Sequence, residues 1–318
     1  MRRVVFVLVV FVTVAALIMA SSANPTKVKQ NVNEGQLYDN IMVIPNNVHI
    51  FLNRKVNIDE IPDFQLIVKE RNHEDALAIA KTFGFDGIKD NREFHEYIAK
   101  MGQVMVIVSQ YGPRLYYRDD RVALMDVEDY KDKEFYIEMA KKYAKPMMEL
   151  HPWAKKYDYR YFVKFGIAHL KDLETGEEAV AGVQVMMYPV VDGYMLWPGI
   201  GLTLTNGGRL VALSFNVWDV KKAGTLHPIP IKEAIIKMRE NRRPFLNANS
   251  YFVRKGVSKI DHIVIDRVEV VYDTWFNPSS LAGYNMVQAV PYYRFIGTAF
   301  LLDGSTETWD VLVSALPS

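Results

Sequence analysis

The chain has 318 residues, 50% of them hydrophobic and 24% charged, a composition that excludes an intrinsically disordered protein. Its 38 basic and 37 acidic residues leave a formal net charge of +1, so no charge excess points to nucleic acid as a partner. Cysteine is absent, which excludes disulfide bonds, cysteine catalysis, a lipoprotein anchor and thiolate metal sites.

The first 23 residues have the pattern of an export signal. Two arginines precede an apolar run, Val4–Ala20, and the small residues Ser21–Ala23 follow it. Cleavage after Ala23 gives a secreted protein. The alternative is an uncleaved anchor that engages the membrane, although the run is slightly shorter than the ~20 apolar residues of a spanning helix. Either way, we predict that the rest of the chain is extracytoplasmic.

Four helices are predicted after a polar linker at 24–40 and a strand at 41–52. The first covers 73–83, with Asn72 as its N-cap and Gly84 after its end. An apparent capping box at Asp90 and an apolar spacing of i, i+3, i+4, i+7 predict a second helix over 90–102. Asp132 begins a third helix that ends near Pro146, and the fourth is Ile231–Glu240.

Most of the remaining chain is predicted to be strand. The predicted strands are 104–109, 114–117, 159–170, 179–189, 196–205, 209–217, 260–272, 287–302 and 307–315. Asn206-Gly207-Gly208 lies between two apolar runs, which is typical of a tight hairpin turn. The glycines between 193 and 208 are therefore assigned to strands and turns. A phosphate-binding loop would need them between a strand and a helix N-terminus.

This order of elements predicts an α+β fold with antiparallel sheets, short helices packed on one face, and two similar tandem halves. The expected divisions are a signal peptide or membrane anchor at 1–23, a linker at 24–40, an N-terminal domain at 41–157 and a C-terminal domain at 158–318.

No motif identifies catalytic chemistry. The seven histidines form no metal-binding pattern, and neither a Gly-x-Ser-x-Gly nor a Ser-x-x-Lys motif occurs. Acidic residues at 119–132 lack the spacing of a calcium loop and suit a solvated loop before a helix. The basic tract 237–243 suits a helix C-terminus, with an anion or lipid-headgroup site as the alternative. We therefore expect no catalytic residue, no metal and no cofactor.

Aromatic residues are the candidates for a binding surface. Most of them suit strands in any case, but those near strand ends or in loops can present a surface to a protein partner. The candidates are Trp197, Trp275, Phe276, Tyr292 and Tyr293.

Three stretches resemble extracytoplasmic regulators of the YycI and YycH kind, which have PepSY-like repeats. The string DGYMLWPGIGLTLTNGGRLVALSFNVWDV, at 192–220, resembles the central hairpin of that family. LHPIPIKEAIIKM, at 226–238, is similar to its proline-led helix, and the tail 291–316 is similar to its closing hairpin. The tail positions that match are Pro291, Tyr293, Phe295, Gly297, Thr298, Gly304, Val313, Ala315 and Leu316. The resemblance covers about 158–318.

The resemblance implies an exported or membrane-anchored, non-catalytic regulatory module whose C-terminal half is PepSY-like. Its expected partner is another extracytoplasmic or membrane protein, such as a sensor kinase or a protease, and not nucleic acid. Two alternatives remain from the residues alone, an envelope structural protein and a hydrolase with an unrecognised site.

Overall fold

The computed structural model describes residues 6–9, 44, 46–122, 129–172, 178–240, 257 and 259–317. The prediction of an α+β fold with antiparallel sheets and short helices is confirmed. Apart from Phe6–Val9, the predicted leader lies outside the described residues, as do the linker at 24–40 and most of the basic tract. Their assignments stay predictions.

Strands and helices are numbered in chain order. The strands are β1 (Phe6–Val9), β2 (His49–Leu52), β3 (Ile61–Ile67), β4 (Lys89–Asn91), β5 (Glu96–Met101), β6 (Val104–Ser109), β7 (Leu115–Asp119), β8 (Asp158–Asp172), β9 (Glu178–Val191), β10 (Tyr194–Trp197), β11 (Gly199–Leu204), β12 (Leu210–Asn216), β13 (Val220–Leu226), β14 (Ile260–Asp273), β15 (Met286–Gln288), β16 (Val290–Leu301) and β17 (Thr306–Ser314). The α-helices are α1 (His73–Lys81), α2 (Lys133–Leu150) and α3 (Ile231–Glu240).

The chain divides into two compact units that interleave in sequence. Unit 1 comprises Met1–Val12, Phe64–Lys222 and Thr274–Ala289, and unit 2 comprises Thr13–Asp63, Ala223–Asp273 and Val290–Ser318. This division differs from the predicted tandem halves at 41–157 and 158–318. Within unit 1, β7 from before the predicted boundary pairs with β12 from after it. Backbone hydrogen bonds thus join the two predicted halves into one sheet.

Unit 1 is built on one large antiparallel sheet. Its strands follow the order β4–β5–β6–β7–β12–β11–β9–β8. The short strand β10 pairs with the end of β9, and β1 pairs with the far end of β8. Strands β3 and β15 also pair antiparallel, from Gln65 to Ile67 on β3.

Helices α1 and α2 pack on one face of this sheet, as predicted. Alternate residues of six strands, among them Val106, Leu213 and Val185, form one buried cluster with Ala76 of α1 and Tyr136 of α2. A strand places alternate side chains on opposite faces, so the buried cluster contains every second residue of each of these strands. The other half points to the opposite face of the same sheet.

Two of the three predicted N-caps, those at Asn72 and Asp132, are present. The Asn72 side chain accepts from the backbone N–H of Asp75, and the Asp132 side chain accepts from that of Phe135. Helix α2 does not end near Pro146 but continues to Leu150. A proline removes one backbone donor, yet the buried stripe of this helix extends past it to Met147.

The hairpin predicted at Asn206-Gly207-Gly208 is confirmed. Strands β11 and β12 flank the turn and pair antiparallel, and Gly208 has a φ of +83°. An added Cβ at Gly208 would lie 2.7 Å from the Phe135 ring, so both conformation and space require glycine there. The glycine-dense stretch therefore forms strands and a turn, not a loop leading into a helix.

The helix predicted over 90–102 is wrong. Asn91 ends the short strand β4, and 92–94 form a single 3-10 turn. His95 then has a φ of +52°, which ends helical geometry. Strand β5 follows, with Tyr97 and Ala99 buried under the helices. Pairing with β6 along all of β5 outweighs the local helical spacing, a tertiary effect that a short window of sequence does not contain.

Unit 2 contains a four-stranded sheet and helix α3. The strand order is β2–β14–β16–β17, with β2 parallel to β14 and the other pairs antiparallel. Arg294 crosses three strands, since it donates to Glu269 on β14 at 3.0 Å and to Asp310 on β17 at 2.6 Å. Helix α3 matches its predicted bounds.

Candidate functional site

The face of the unit 1 sheet opposite α1 and α2 carries a row of mostly apolar residues. Cross-strand pairing aligns one residue from each of seven neighbouring strands. We call this the apolar row: Ile98, Ile107, Tyr116, Ser214, Gly201, Met186 and Phe162. Neighbouring strands lie ~4.8 Å apart, so the row extends over ~29 Å.

A second row lies two residues along each strand on the same face. Its register is given by the same strand pairs. We call this the cation row: Lys100, Met105, Arg118, Ala212, Thr203, Gln184 and Lys164. Together the apolar row and the cation row form a surface that we call the open face.

Solvent reaches the open face. Phe162 at one end of the apolar row is 41% exposed, and Ile98 and Ile107 at the other end are partly exposed. Tyr116 in the middle is only 5% exposed, and its burial raises the pKa of its hydroxyl. The centre of the apolar row is therefore almost buried, whereas both of its ends are accessible to solvent.

The open face is much less buried than the opposite face of the same strands. The row directly behind it includes Val106, Leu213, Leu202 and Val185, each at most 1% exposed. In the cation row, by contrast, Lys100 is exposed and Met105, Arg118, Thr203 and Gln184 are partly exposed. Arg118 pairs with the carboxylate of Asp120. This surface has the mixed apolar and polar character of a recognition surface.

Two of the predicted aromatic residues, Trp275 and Phe276, lie together in unit 1, held by Thr274. The Thr274 carbonyl accepts hydrogen bonds from Trp218 Nε1 at 2.9 Å and from Asn216 Nδ2 at 3.3 Å. Its own N–H and hydroxyl both donate to the carbonyl of Trp197, each at 2.8 Å. Four hydrogen bonds thus fix the backbone that presents Trp275 and Phe276.

The ring contacts of this segment connect it to the strands of the open face. The guanidinium carbon of Arg114 lies 4.9 Å from the centre of the Trp275 ring, in a cation–π arrangement. Phe276 makes an edge contact with Trp218 at 6.0 Å between ring centres. Arg114 immediately precedes β7 and lies on the same side as Tyr116, two residues on. Trp275 therefore lies beside one margin of the open face.

The charge of Arg114 is balanced by Glu96. Burial lowers the pKa of Arg114 and raises that of Glu96, and in each case the opposite charge of the other residue counteracts part of the shift. The cation that lies over the Trp275 ring is therefore half-buried and already compensated by a carboxylate.

The turn that precedes Arg114 is held in place by the buried side chain of Arg71. Arg71 donates to the carbonyls of Ser109 and Gly112 and to Nε2 of His151, the last at 2.9 Å. Gly112 has a φ of +75°, and an added Cβ would lie 2.7 Å from the Trp218 ring. Burial lowers the pKa of Arg71 to about 10.

His151 is held as a neutral imidazole. Its Nδ1 donates to the carbonyl of Met147 at 2.8 Å, so Nε2 is the atom that accepts from Arg71. Burial, and then the charge of Arg71, lower the pKa of His151 to about 4. Arg71 and His151 therefore position the turn that leads into Arg114, the residue that contacts the Trp275 ring.

Three further residues were predicted for the site, and one of them, Trp197, adjoins the Trp275 segment. Trp197 is partly exposed and is hydrogen-bonded through its carbonyl to the Trp275 segment. Tyr292 and Tyr293 lie on β16 in unit 2. Tyr293 is fully buried and donates to the carbonyl of Ile229 at 2.8 Å, and burial raises its pKa to about 12. Tyr293 is thus a core residue, not a surface residue, and Tyr292 lies partly exposed beside it.

Three of the acidic residues at 119–132 have structural partners: Asp119, Asp120 and Asp132. Asp119 pairs with Arg121 at 2.8 Å and Asp132 caps α2, while Asp126 and Glu128 lie outside the described residues. Among the residues that the structure describes, no three His, Asp or Glu side chains cluster in a way that would hold a metal ion.

No local pattern in the sequence predicted the apolar row, the cation row or the position of Arg114. The alternation within each strand was visible, but the rows depend on how seven strands are aligned. That register is a property of the folded sheet, and a shift of one residue would exchange its faces.

No family model matches the sequence, and no curated protein matches it. Among solved structures, the chain has a distant similarity to a crystal structure of an uncharacterized protein from Eubacterium rectale ATCC 33656, with 11% identity and a TM-score of 0.45 over 86% of this chain and 90% of that one. Within the part of the chain that the structure describes, no helix is both long and apolar enough to cross a bilayer.

Proposed function

We propose that this chain is an exported or membrane-anchored, non-catalytic regulatory module that binds another extracytoplasmic protein through the open face. The observation that carries the proposal is the apolar row, a ~29 Å line of residues from seven strands that remains accessible at both ends. The helices bury the opposite face of the same strands, so core packing does not require apolar residues such as Ile107 and Phe162 here.

The Trp275 segment supports the same function. Tryptophan, tyrosine and arginine are the residues that most often dominate binding energy at protein interfaces. Trp275 and Arg114 are half-buried and in mutual contact, with a backbone fixed by four hydrogen bonds. A rigid aromatic anchor loses little conformational entropy when a partner binds.

The export signal and the resemblance to YycI and YycH regulators support the compartment and the class of partner. The N-terminal 23 residues have the three-part pattern of a secreted or anchored protein. Regulators of that kind act on other envelope proteins. The proposed partner is therefore a membrane or extracytoplasmic protein, such as a sensor kinase or a protease.

Affinity capture from a native membrane extract tests the proposal. The full tagged chain is compared with Phe162→Glu, which places a charge at the accessible end of the apolar row. The control is Leu302→Glu, because Leu302 is 69% exposed and lies in unit 2. We expect one envelope protein to be captured by the wild type and the control and to be lost with Phe162→Glu.

Two results would contradict the proposal. If Phe162→Glu captured the envelope protein as well as the wild type does, the open face would not be the binding surface. Recovery of only further copies of this chain would favour the envelope structural alternative. Ile107→Glu, at the other end of the row, provides an independent second variant, and circular dichroism checks that each variant is folded.

A further inference from the structure

A guanidinium and an imidazole meet in the interior of unit 1, where three segments of the chain come together. Arg71 directly precedes the N-cap of α1, His151 ends α2, and the turn 110–113 joins β6 to β7. Arg71 is 8% exposed and His151 is 3% exposed. Within the described chain, every acceptor of the Arg71 guanidinium is neutral: the carbonyls of Ser109 and Gly112 and Nε2 of His151.

The charged groups that act on His151 are cations. The elements packed against it contribute these side chains: Lys69 after β3, Arg71 before α1, Trp153 in the 3-10 turn after α2, and Phe215 on β12. The two rings are uncharged, and Lys69 has its own counter-ion, since its Nζ lies 3.3 Å from the carboxylate of Asp219. Asp75 on α1 stabilises the charge of Arg71. In the described chain, the ionic charges that act on His151 therefore oppose its protonation.

Protonation of His151 would replace an acceptor by a donor. Its Nδ1 already donates to the carbonyl of Met147 at 2.8 Å, so an added proton goes to Nε2, the atom 2.9 Å from the Arg71 guanidinium. Two cationic donors would then face each other in a buried place, where unpaired donors and like charges are costly. Separation of the two side chains and hydration of the imidazolium relieve both costs.

Backbone hydrogen bonds show which segment this separation would release. The N–H of Arg71 donates to the carbonyl of Gln110 at 2.7 Å, and the N–H of Gly112 donates to the carbonyl of Lys69 at 3.1 Å. The Arg71 side chain binds the same turn through the Gly112 carbonyl. The turn 110–113 is thus held against 69–71 by both the backbone and the guanidinium.

Two paths connect this turn to the Trp275 segment. Arg114 follows the turn directly and lies over the Trp275 ring, 4.9 Å from its centre. Gly112 lies against the ring of Trp218, since an added Cβ would approach it to 2.7 Å, and Trp218 Nε1 donates to the carbonyl of Thr274. Movement of the turn therefore changes the support of Trp275.

We propose that Arg71 and His151 form an acid-sensitive clamp on the turn 110–113, and that protonation of His151 opens the clamp and loosens Trp275 at the margin of the open face. The consequence for partner binding rests on the proposed function, whereas the clamp itself lies within unit 1. An exported protein is exposed to the pH of its surroundings, so the clamp makes binding depend on acidity. Histidines that gain a proton act in this way in other pH-dependent interfaces.

Linkage gives the direction and size of the effect. Burial, and then the charges of Arg71 and Lys69, lower the pKa of His151 from 6.5 to about 4 in the closed clamp. An open clamp, with a hydrated imidazole, regains a value near 6.5. The closed clamp is therefore fully favoured above pH 6.5, and its equilibrium constant for opening rises by up to about tenfold for each pH unit lost towards pH 4. The whole range corresponds to an increase on the order of 100-fold.

Hydrogen–deuterium exchange of the full chain in neutral detergent, read by mass spectrometry between pH 6.5 and 4, tests the clamp. Each exchange rate is divided by the intrinsic rate at that pH. Peptides with the amides of Arg71 and Gly112 report the clamp, and peptides from β6 and β11 report the core of the same sheet. We expect protection of the clamp peptides to fall by on the order of 100-fold and to be at least about tenfold below that of the core peptides at every pH.

Two variants make the test specific. His151→Gln keeps a side-chain acceptor near Arg71 but does not titrate, so protection of the clamp peptides should become independent of pH. His262→Gln is the control, because it makes the same substitution at a partly exposed histidine of unit 2 and should preserve the wild-type response.

Unchanged protection of the wild-type clamp peptides down to pH 4, or the same loss in His151→Gln, would overturn the clamp. Equal protection of clamp and core peptides at every pH would also overturn it, because acid would then act through unfolding of the whole sheet. This wild-type comparison decides the matter even if His151→Gln does not fold. Capture of an envelope protein at neutral pH, and its loss with Phe162→Glu, tests the proposed function separately, so the two failures are distinguishable.

Discussion

The two faces of the unit 1 sheet are formed by the same strands but have opposite physical character. Behind the apolar row, Val106, Leu213, Leu202 and Val185 are almost completely excluded from solvent by α1 and α2. On the open face, Ile107 belongs to the same strand as Val106, Phe162 belongs to the strand next to that of Val185, and both remain accessible. The comparison shows that apolar composition alone does not mark a core; what packs against each face decides its role.

The largest expected effect concerns the face under the helices. Leu213→Ala should lower the free energy of unfolding by about 2–5 kcal/mol, because it removes buried methyl groups and leaves a cavity. Ile107→Ala on the open face should cost about 1 kcal/mol or less. Urea denaturation of both variants measures the difference, and equal losses would show that the two faces are equally packed.

The side of the unit 1 sheet that the helices cover should also lose stability in acid, because it contains His151. His151 contacts the Phe215 ring at 4.7 Å between centres, and its pKa is about 4 in the folded chain against 6.5 for the free side chain. Folding thus favours the neutral form. The stability that this provides, on the order of 3 kcal/mol, is fully present above pH 6.5 and lost as the pH falls towards 4.

The check is the dependence of unfolding free energy on pH in the wild type and in His151→Asn. The wild type should lose stability between pH 6.5 and 4 more steeply than the variant. Parallel curves for the two proteins would show that His151 titrates normally in the folded state.

A smaller effect is expected at the margin of the open face. Arg114→Met removes the cation over the Trp275 ring and should destabilise the chain by about 1 kcal/mol, a typical value for a partly exposed cation–π contact. It also removes the positive charge that favours ionised Glu96, so the pKa of Glu96 should rise further. Denaturation followed by tryptophan fluorescence and an NMR titration of Glu96 measure the two changes; a falling Glu96 pKa would contradict the assigned contact.

The smallest effect on stability is expected from Phe162→Glu. Phe162 is 41% exposed and contacts Tyr188 edge-on at 5.3 Å, and substitutions at accessible positions usually change stability by no more than about 0.5 kcal/mol. Urea denaturation should therefore show a nearly unchanged midpoint while partner capture is lost. A large loss of stability would instead show that Phe162 is needed to stabilise the folded chain.

Local signals allowed much of the fold to be predicted. Caps at Asn72 and Asp132, and the turn at Asn206-Gly207-Gly208, depend on hydrogen bonds and backbone conformations within a few residues, and each is where the sequence placed it. Strands β14, β16 and β17 also match closely. These features are encoded in neighbouring residues, so a single sequence contains enough information to find them.

Features that depend on distant residues were missed. The 90–102 segment has helical spacing, but pairing of β5 with β6 makes it a strand. The site was predicted only in part: Trp275 and Phe276 lie beside the open face, whereas Tyr293 is in the core of unit 2. Strand ends can be located from sequence, but which side chains meet depends on sheet order and register.

Site-specific photocrosslinking tests the central claim most directly. The full chain carries benzoylphenylalanine in place of Phe162 on the open face or in place of Leu302 in unit 2, both exposed positions, and is irradiated in native membranes. We expect a crosslink to one envelope protein from position 162 and none to that protein from position 302. A partner crosslinked equally from both positions, or only from position 302, would contradict it.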